Sequence, residues 1–430
     1  MAETIFEREV ERNFRWNFSV NLLDISFIML GLSLVSRETV IPLLVRTLTP
    51  STVAIGLVPA IYSLGIYLPQ LIGASVAEGM PRKKPFVALV GVFGERLPYL
   101  LAGLAVLLLA EPAPMAALTA IVVLFGVSGA SAGFATPAWF DMIAKVIPPR
   151  RRGLFTGVSH GLGALMGVAG AAVIGVVLER WPYPQSYALL FTLAFGAMVV
   201  SWIGLVLNRE PANPAVHPSA PLLGYLRRLP AILRRDHNFA RYIGAMTIVR
   251  AGTMAGSFLL VYGADRFQLD GAAVGLLTGV LIGGQALFNP LWGLIGDRYG
   301  HKLVLVGGAL ALACAAVTVW LAPAWPWLVA AFALLGAFLS ADTASFLNII
   351  LEFCADEDRP TYIGLTNTLM APITALAPLV AGWLVAQLSY PPMFALAALL
   401  AAVGATLLAG WVREPRRAKS AGHAARSTST

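Results

Sequence analysis

Charged or Pro/Gly-rich breaks divide the chain into twelve apolar stretches, each long enough to cross a bilayer. Crossing about 30 Å of hydrocarbon takes roughly 20 mainly apolar residues in a helix. In the first half of the chain such stretches fall at residues 17–45, 54–77, 86–110, 115–140, 153–178 and 187–207. After a polar interval they recur at 240–263, 272–296, 303–322, 326–351, 362–386 and 393–412. The runs are too long for barrel strands, and they lack two-residue alternation. The first is long enough to require a kink or tilt. Charge supports the same reading, since 12% of the 430 residues are Asp, Glu, Lys or Arg, against about 25% in soluble domains. The sequence therefore predicts an all-α integral membrane protein with twelve transmembrane helices in two sets of six.

The basic residues give the topology. Of 30 Lys and Arg, 24 fall in the two tails, the central segment and the loops on that same side, while three (Arg46, Arg180 and Arg266) fall opposite. Positive loops stay cytoplasmic, so both termini are expected inside the cell. Net charge is +8, but the basic residues come in small clusters between apolar runs, which argues against nucleic-acid binding. Cys314 and Cys354 have no disulfide-framework spacing. No cleavable signal peptide is read at the start of the chain. In residues 1–16, Phe6, Val10 and Phe14 recur at four-residue spacing, so a cytoplasmic amphipathic helix on the membrane surface is expected. The remaining divisions are a six-helix half at 17–207, a cytoplasmic linker at 208–240, a second half at 241–412 and a basic tail at 413–430. Within the linker, Leu222, Leu226, Leu229 and Leu233 oppose arginines, as in an interfacial helix.

The halves repeat. Gly56, Pro69 and Gly73 align with Gly275, Pro290 and Gly293 at offsets of 219, 221 and 220, and Arg152 and Gly157 align with Arg359 and Gly364 at 207. Two parallel six-helix repeats around a midplane cavity form a transporter architecture. The run Gly293-Leu-Ile-Gly-Asp297-Arg298-Tyr-Gly300-His301-Lys302 resembles the loop signature of the major facilitator superfamily (MFS). That signature follows the second helix of a half. The resemblance implies an alternating-access transporter in which Gly293, Asp297, Arg298, Gly300 and Lys302 form a cytoplasmic latch. Arg152, Arg359 and Asp141 are expected to join it. In the first half Ala77 stands in the aspartate position, with Glu78 beside it, and His301 replaces the first basic residue of the pattern.

Charges at membrane depth are costly, so each one inside a span is a functional candidate. Asp24 shares a stripe of span 1 with Asn17, Asn21, Gly31 and Glu38; Arg250 shares a face of span 7 with Thr247 and Thr253; Asp342 lies mid-span in span 10. In the resembled family the first and fourth helices of each half line the cavity, which here means spans 1, 4, 7 and 10. Asp24 and Asp342 are the expected proton carriers, with Arg250 holding an anionic group or a neighbouring acid; the alternative for each is a fixed structural ion pair between the halves. Arg37 and Glu38 suit a mouth or gate, and Trp139, Gln285, Asn289 and Asn367 suit the cavity wall. Glu95 and Arg96 of span 3 are expected to pair structurally with spans 2 or 4, since the family's third helix is peripheral. His160 of span 5 is read either as a relay or as a donor to a nearby carbonyl. Span 5 is rich in glycine, a feature of antiporters in this family, although their central proline is absent here.

The expected function is proton-coupled export of an amphipathic small molecule, working as a monomer in the cell membrane of a prokaryote. Proton-coupled uptake of an anionic or polar metabolite is the alternative. A third reading is enzymatic: Gly126-Val127-Ser128-Gly129 matches the nucleophile motif of rhomboid-type intramembrane proteases, with His160 as base. Duplicated six-helix halves are foreign to that fold. No phosphate-binding Gly-x-x-x-x-Gly-Lys-Ser/Thr loop is present, and no metal or organic cofactor is expected beyond the coupling proton.

Overall fold

In the computed structural model, residues 2–212, 232–354 and 359–416 are described. Among them are twelve helices apolar and long enough to cross a membrane. Spans 1–6 are Phe6–Leu34, Thr52–Glu78, Lys84–Leu109, Pro114–Val146, Pro149–Arg180 and Gln185–Val206. Spans 7–12 are His237–Phe267, Gly271–Tyr299, His301–Leu321, Trp327–Phe353, Tyr362–Leu388 and Tyr390–Gly410. An even number of crossings puts both ends of the described chain on one side, called here the terminal face. Most of the linker (213–231) and the tail from 417 lie outside the described residues, so the expected interfacial helix at Leu222–Leu233 is not described over most of its length.

Span 1 differs from expectation at both ends. Its helix already begins at Ala2 and runs to Leu34. The expected surface helix at 1–16 is therefore the first part of span 1 itself. Val10 is buried, and Phe14 meets Phe18 edge-on, with ring centroids 5.5 Å apart. Phe18 in turn meets Phe155 of span 5, also at 5.5 Å. The stripe has found protein partners in place of lipid. At the other end, the backbone leaves the helix at Val35–Thr39 and resumes as Val40–Leu48. Pro42, in the first turn of the second helix, has no N–H to give the Glu38 carbonyl, so one continuous ladder cannot run through the turn. Ser33 also turns its hydroxyl onto the Leu30 carbonyl at 2.7 Å, the kind of local bond that competes with a helix ladder.

Span 7 is interrupted in the same way. It runs His237–Gly252, tightens at Thr253–Ala255 and resumes at Phe258–Phe267. Thr253 Oγ1 donates to the Arg250 carbonyl at 2.7 Å. The first helix of each half thus has a mid-membrane break followed by a short helix.

The two halves meet through spans 2 and 11 and through spans 5 and 8. On the face opposite the termini the contact is closed. A Cβ added at Gly275 would sit 2.7 Å from the Gly175 Cα, and one at Gly56 would overlap the Pro378 carbonyl. Backbones come this close only where no side chain intervenes. The Arg46 Nε also pairs with Asp265 Oδ2 at 3.2 Å. These two residues end the two short helices and stand 219 positions apart, the repeat offset of the glycine pair. Toward the terminal face, spans 2 and 11 remain joined, with Asn367 Nδ2 donating to Gln70 Oε1 at 2.8 Å. Spans 5 and 8 part: Gly153, Gly157, Gly161 and Gly293 have open space where a Cβ would stand.

Candidate functional site

Between the halves is a cavity of about 320 Å³, lined by spans 1, 5, 8 and 10. Its wall alternates apolar groups (Ile25, Met29, Leu32, Leu281 and Ile282) with polar ones (Ser33, Ser36, Arg37, Glu38, His160, Gln285 and Asn289). A small set of polar groups in a mainly apolar wall is the usual make-up of a small-molecule site. His160, Ala164, Ala286, Asn289 and Thr343 also line a second space of about 600 Å³ between spans 5 and 8. The cavity therefore continues sideways through the gap at Gly157, Gly161 and Gly293.

Of the residues expected in the cavity, Arg37, Glu38, Gln285 and Asn289 line it. Arg37 and Glu38 occupy the non-helical turn at 35–39, at the closed end. Arg250 and Asp342 lie beside it: Arg250 Nη2 donates to Asp342 Oδ1 at 2.6 Å. The guanidinium also rests 4.8 Å from the Phe346 ring centroid, while its Nε is buried without a partner. Asp342 keeps 22% of its side chain exposed, and the next residue, Thr343, is on the cavity wall.

Four other expected cavity residues face elsewhere: Asn367 is the one already placed against Gln70, and Asp24, Trp139 and Asn21 follow. Asp24 is 3% exposed and points into the first half. Its Oδ1 accepts from Ser201 of span 6 at 2.6 Å and its Oδ2 from Trp139 at 3.3 Å. Arg96 Nη2 lies 3.6 Å from the same carboxylate. Trp139 is thereby committed to Asp24 as well. Asn21 bonds with Asn208 in both directions, at 2.6 and 3.0 Å, which fixes the exit of span 6 against span 1. The helical stripe of Asn17, Asn21 and Asp24 is real, but span 6 covers it. Arg96 does bond Glu95, at 3.1 Å. Its further partners are on spans 1 and 6, where spans 2 or 4 were expected: it also donates to the Met198 carbonyl and to Ser201. The chain forms a π-helical turn at Gly91–Arg96 there, which points the guanidinium inward.

The protease reading finds no geometry. Ser128 Oγ donates to the Glu95 carbonyl at 2.9 Å, and the His160 Nδ1 is 2.8 Å from its own helix at Thr156 O. Neither group engages the other.

At the terminal face, Asp297 is exposed and makes no ion pair among the described residues, while Arg298 stacks on Tyr299. Lys302, Arg152 and Asp141 bond within their own halves. Lys302 Nζ donates to the Ala409 and Val412 carbonyls at 2.8 and 2.9 Å. Arg152 caps the carbonyls of Ala144 and Ile147, Asp141 pairs with Lys83 at 3.4 Å, and Arg359 opens the helix of span 11. Gly300 takes φ +103 between spans 8 and 9, a conformation that glycine adopts without strain.

Two glutamates that the sequence reading passed over organise this face. Glu210 accepts from the backbone N–H groups of Lys83 and Lys84 at 2.9 and 2.7 Å, and from Lys145 Nζ at 2.7 Å. An acid is well placed at the start of a helix, where N–H groups lack partners. Glu414 takes the equivalent place in the second half, over Gly300 at the start of span 9. Burial, reinforced by nearby Glu352, pushes its carboxyl above the usual range. Folding stability at this corner therefore falls as pH rises through that elevated value, because a buried charge then stands beside Glu352. The signal was available as Arg209-Glu210-Pro211 and Arg413-Glu414-Pro415, a repeat at offset 204. Glu210→Gln is expected to lower stability by about 3 kcal/mol, because it strands a buried lysine. A drop in the thermal unfolding midpoint of the purified protein checks this, and an unchanged midpoint rejects it.

Comparison with known proteins agrees with the geometry. The family model described as Major Facilitator Superfamily matches residues 23–270 and 242–429. The nucleoside transporter NupG, solved as a point mutant, superposes with a TM-score of 0.71 at 13% identity, over 92% of this chain and 100% of that one. The D-xylose-proton symporter gives 0.67 at 13% identity, over 94% and 99%. Among curated sequences, the staphyloferrin B transporter of Staphylococcus aureus (strain NCTC 8325 / PS 47) is 29% identical over 101 residues. That match spans only 24% of either chain. With a family match over nearly its whole length and twelve helices in that family's fold, the chain belongs to the Major Facilitator Superfamily and is a multi-pass secondary transporter.

Proposed function

We propose that the protein exports amphipathic organic solutes in exchange for protons, loading them from the terminal face. The carrying observation is the Arg250–Asp342 pair at 2.6 Å, placed just before the break in span 7 and one residue from the cavity wall. Protonating Asp342 removes the attraction that holds the two helices, an attraction strengthened by the low dielectric around it. The released guanidinium belongs to a half-helix that ends two residues later, so span 7 has a joint at which to respond. The cavity's mixed wall fits a solute with an apolar body and a polar head. The gap between spans 5 and 8 supports entry from the adjoining leaflet, where amphipathic molecules concentrate. The distribution of Lys and Arg supports a cytoplasmic terminal face, and with it a place in the cell membrane of a prokaryote.

The test is solute-evoked proton movement in proteoliposomes across a panel of amphipathic compounds. Asp342→Asn is expected to reduce that movement to the level of empty vesicles while solute binding persists. Undiminished proton movement in Asp342→Asn, or none in the wild type, would reject the reading.

A further inference from the structure

Within the described membrane region, three arginines lie deep in the protein, and two of them have carboxylate partners. Arg96 has Asp24 and Glu95, and Arg250 has Asp342. Arg37 is the exception. Its guanidinium lies 4.4 Å from the Tyr62 ring centroid, yet it makes no ion pair with a described carboxylate. Glu38 beside it is equally unengaged: its one bond is a long one, from Ser36 Oγ at 3.4 Å. Both residues line the cavity.

The two charges attract through space, but no ion pair closes between them. They sit in the short turn at 35–39, whose far side is tied to span 8 by Thr278 Oγ1 donating to Thr39 Oγ1 at 2.9 Å. The turn opposes the buried helix Val40–Leu48 on one side and the cavity on the other. A cationic and an acidic side chain thus line the same space, several residues inside the closed face. Each unmatched charge at this depth costs several kcal/mol. A simple anion would satisfy Arg37 but stand against Glu38; a simple cation would do the reverse.

We infer that the site at Arg37 and Glu38 takes a zwitterionic head group, a carboxylate on Arg37 and an ammonium on Glu38, with the solute's apolar body against Met29, Leu281 and Ile282. The assignment rests on the reading of this cavity as the solute site. A carboxylate suits the planar donor fork of arginine, and a matched zwitterion brings no net charge into the membrane. His160 is the one other titratable side chain on the wall, and its Nδ1 is held by Thr156 O.

The test uses the full-length protein in nanodiscs and radiolabelled L-phenylalanine. Binding is competed with N-acetyl-L-phenylalanine, which lacks the ammonium, and with L-phenylalaninamide, which lacks the carboxylate. Wild-type protein is expected to bind the free amino acid about tenfold or more tightly than either derivative, the scale of one charge-assisted hydrogen bond. Arg37→Gln should bind phenylalanine and its amide equally; Glu38→Gln should bind phenylalanine and its N-acetyl form equally. Arg37→Lys and Glu38→Asp, which keep the charges, should keep the wild-type order and show that the site survives substitution. Equal or tighter binding of either derivative by the wild type, binding of none of the three, or an unchanged order in both neutral variants overturns the assignment. No gradient enters this measurement, so it stands or fails apart from the proton-coupling test at Asp342.

Discussion

Replacing Arg96 with methionine is expected to cost the first half about 3–5 kcal/mol, the usual consequence of removing one partner from a buried ion pair. Arg96 is 3% exposed, and it donates to Met198 O at 3.0 Å, Gly91 O at 3.1 Å and Ser201 Oγ at 3.0 Å. Without it, Asp24 is left as a charge with only the Ser201 hydroxyl and the Trp139 indole for company. The Met198 and Gly91 carbonyls also lose a donor each. Adding Asp24→Asn to Arg96→Met should recover a large part of the loss, since the amide carries no charge to strand. A double-mutant cycle on thermal or denaturant unfolding measures that coupling. Strict additivity, or an Arg96→Met protein as stable as the wild type, would show that the cluster does not hold the half together. Asp24→Asn alone is expected to keep solute-evoked proton movement, because a carboxylate sealed between spans 1, 3, 4 and 6 has no route to the cavity. Loss of that movement in a folded Asp24→Asn protein would return Asp24 to the coupling path.

The second large effect is expected from closing off the closed state itself. Leucine at Gly275 must displace the Gly175 backbone, and leucine at Gly56 must displace Pro378. Overpacking costs about 1–3 kcal/mol even where side chains can adjust, and here the obstacles are backbone atoms. A cost of that size shifts the ratio of two conformations by roughly ten- to a hundredfold. Transport should collapse, because a carrier that cannot shut its far face cannot alternate. Spin labels on the far-face ends of spans 5 and 8 should move apart in Gly275→Leu. Wild-type label distances together with wild-type turnover would remove these glycines from the mechanism.

What the sequence made legible follows from the physics of the bilayer. Apolar run length gave twelve spans, and the repeat at Gly56 and Gly275 located equivalent helix ends. Helix rotation was not legible. The period of span 1 puts Asn17, Asn21 and Asp24 on one stripe, but nothing in that period says which neighbour covers it. Packing decides: Gly204 of span 6 lies against the backbone at Val20 and Asp24, bringing Ser201 and Asn208 over the stripe. The break in span 1 was legible in part: the length of the run demands a kink or tilt, and Ser36-Arg37-Glu38-Thr39 followed by Pro42 marks the place. The break in span 7 was not, because it lies inside an apolar run, at the Thr253 hydroxyl on the Arg250 carbonyl. Arg37 and Glu38 were expected at a mouth or gate, and the turn at 35–39 sets both on the cavity wall. Glu210 and Glu414 were legible in principle, but one residue at each helix exit carries little weight until its repeat is noticed.

The bond between Arg46 and Asp265 has a meaning for the ancestry of the molecule. Its two members occupy corresponding places in the two repeats, so in a chain built from identical copies they would be the same residue. Two arginines or two aspartates brought face to face would repel, and the far side would tend to stay open. A shut far side of this kind is available only after the copies have diverged at this place. The bond is thus a property of the difference between the halves, and their likeness alone could not supply it.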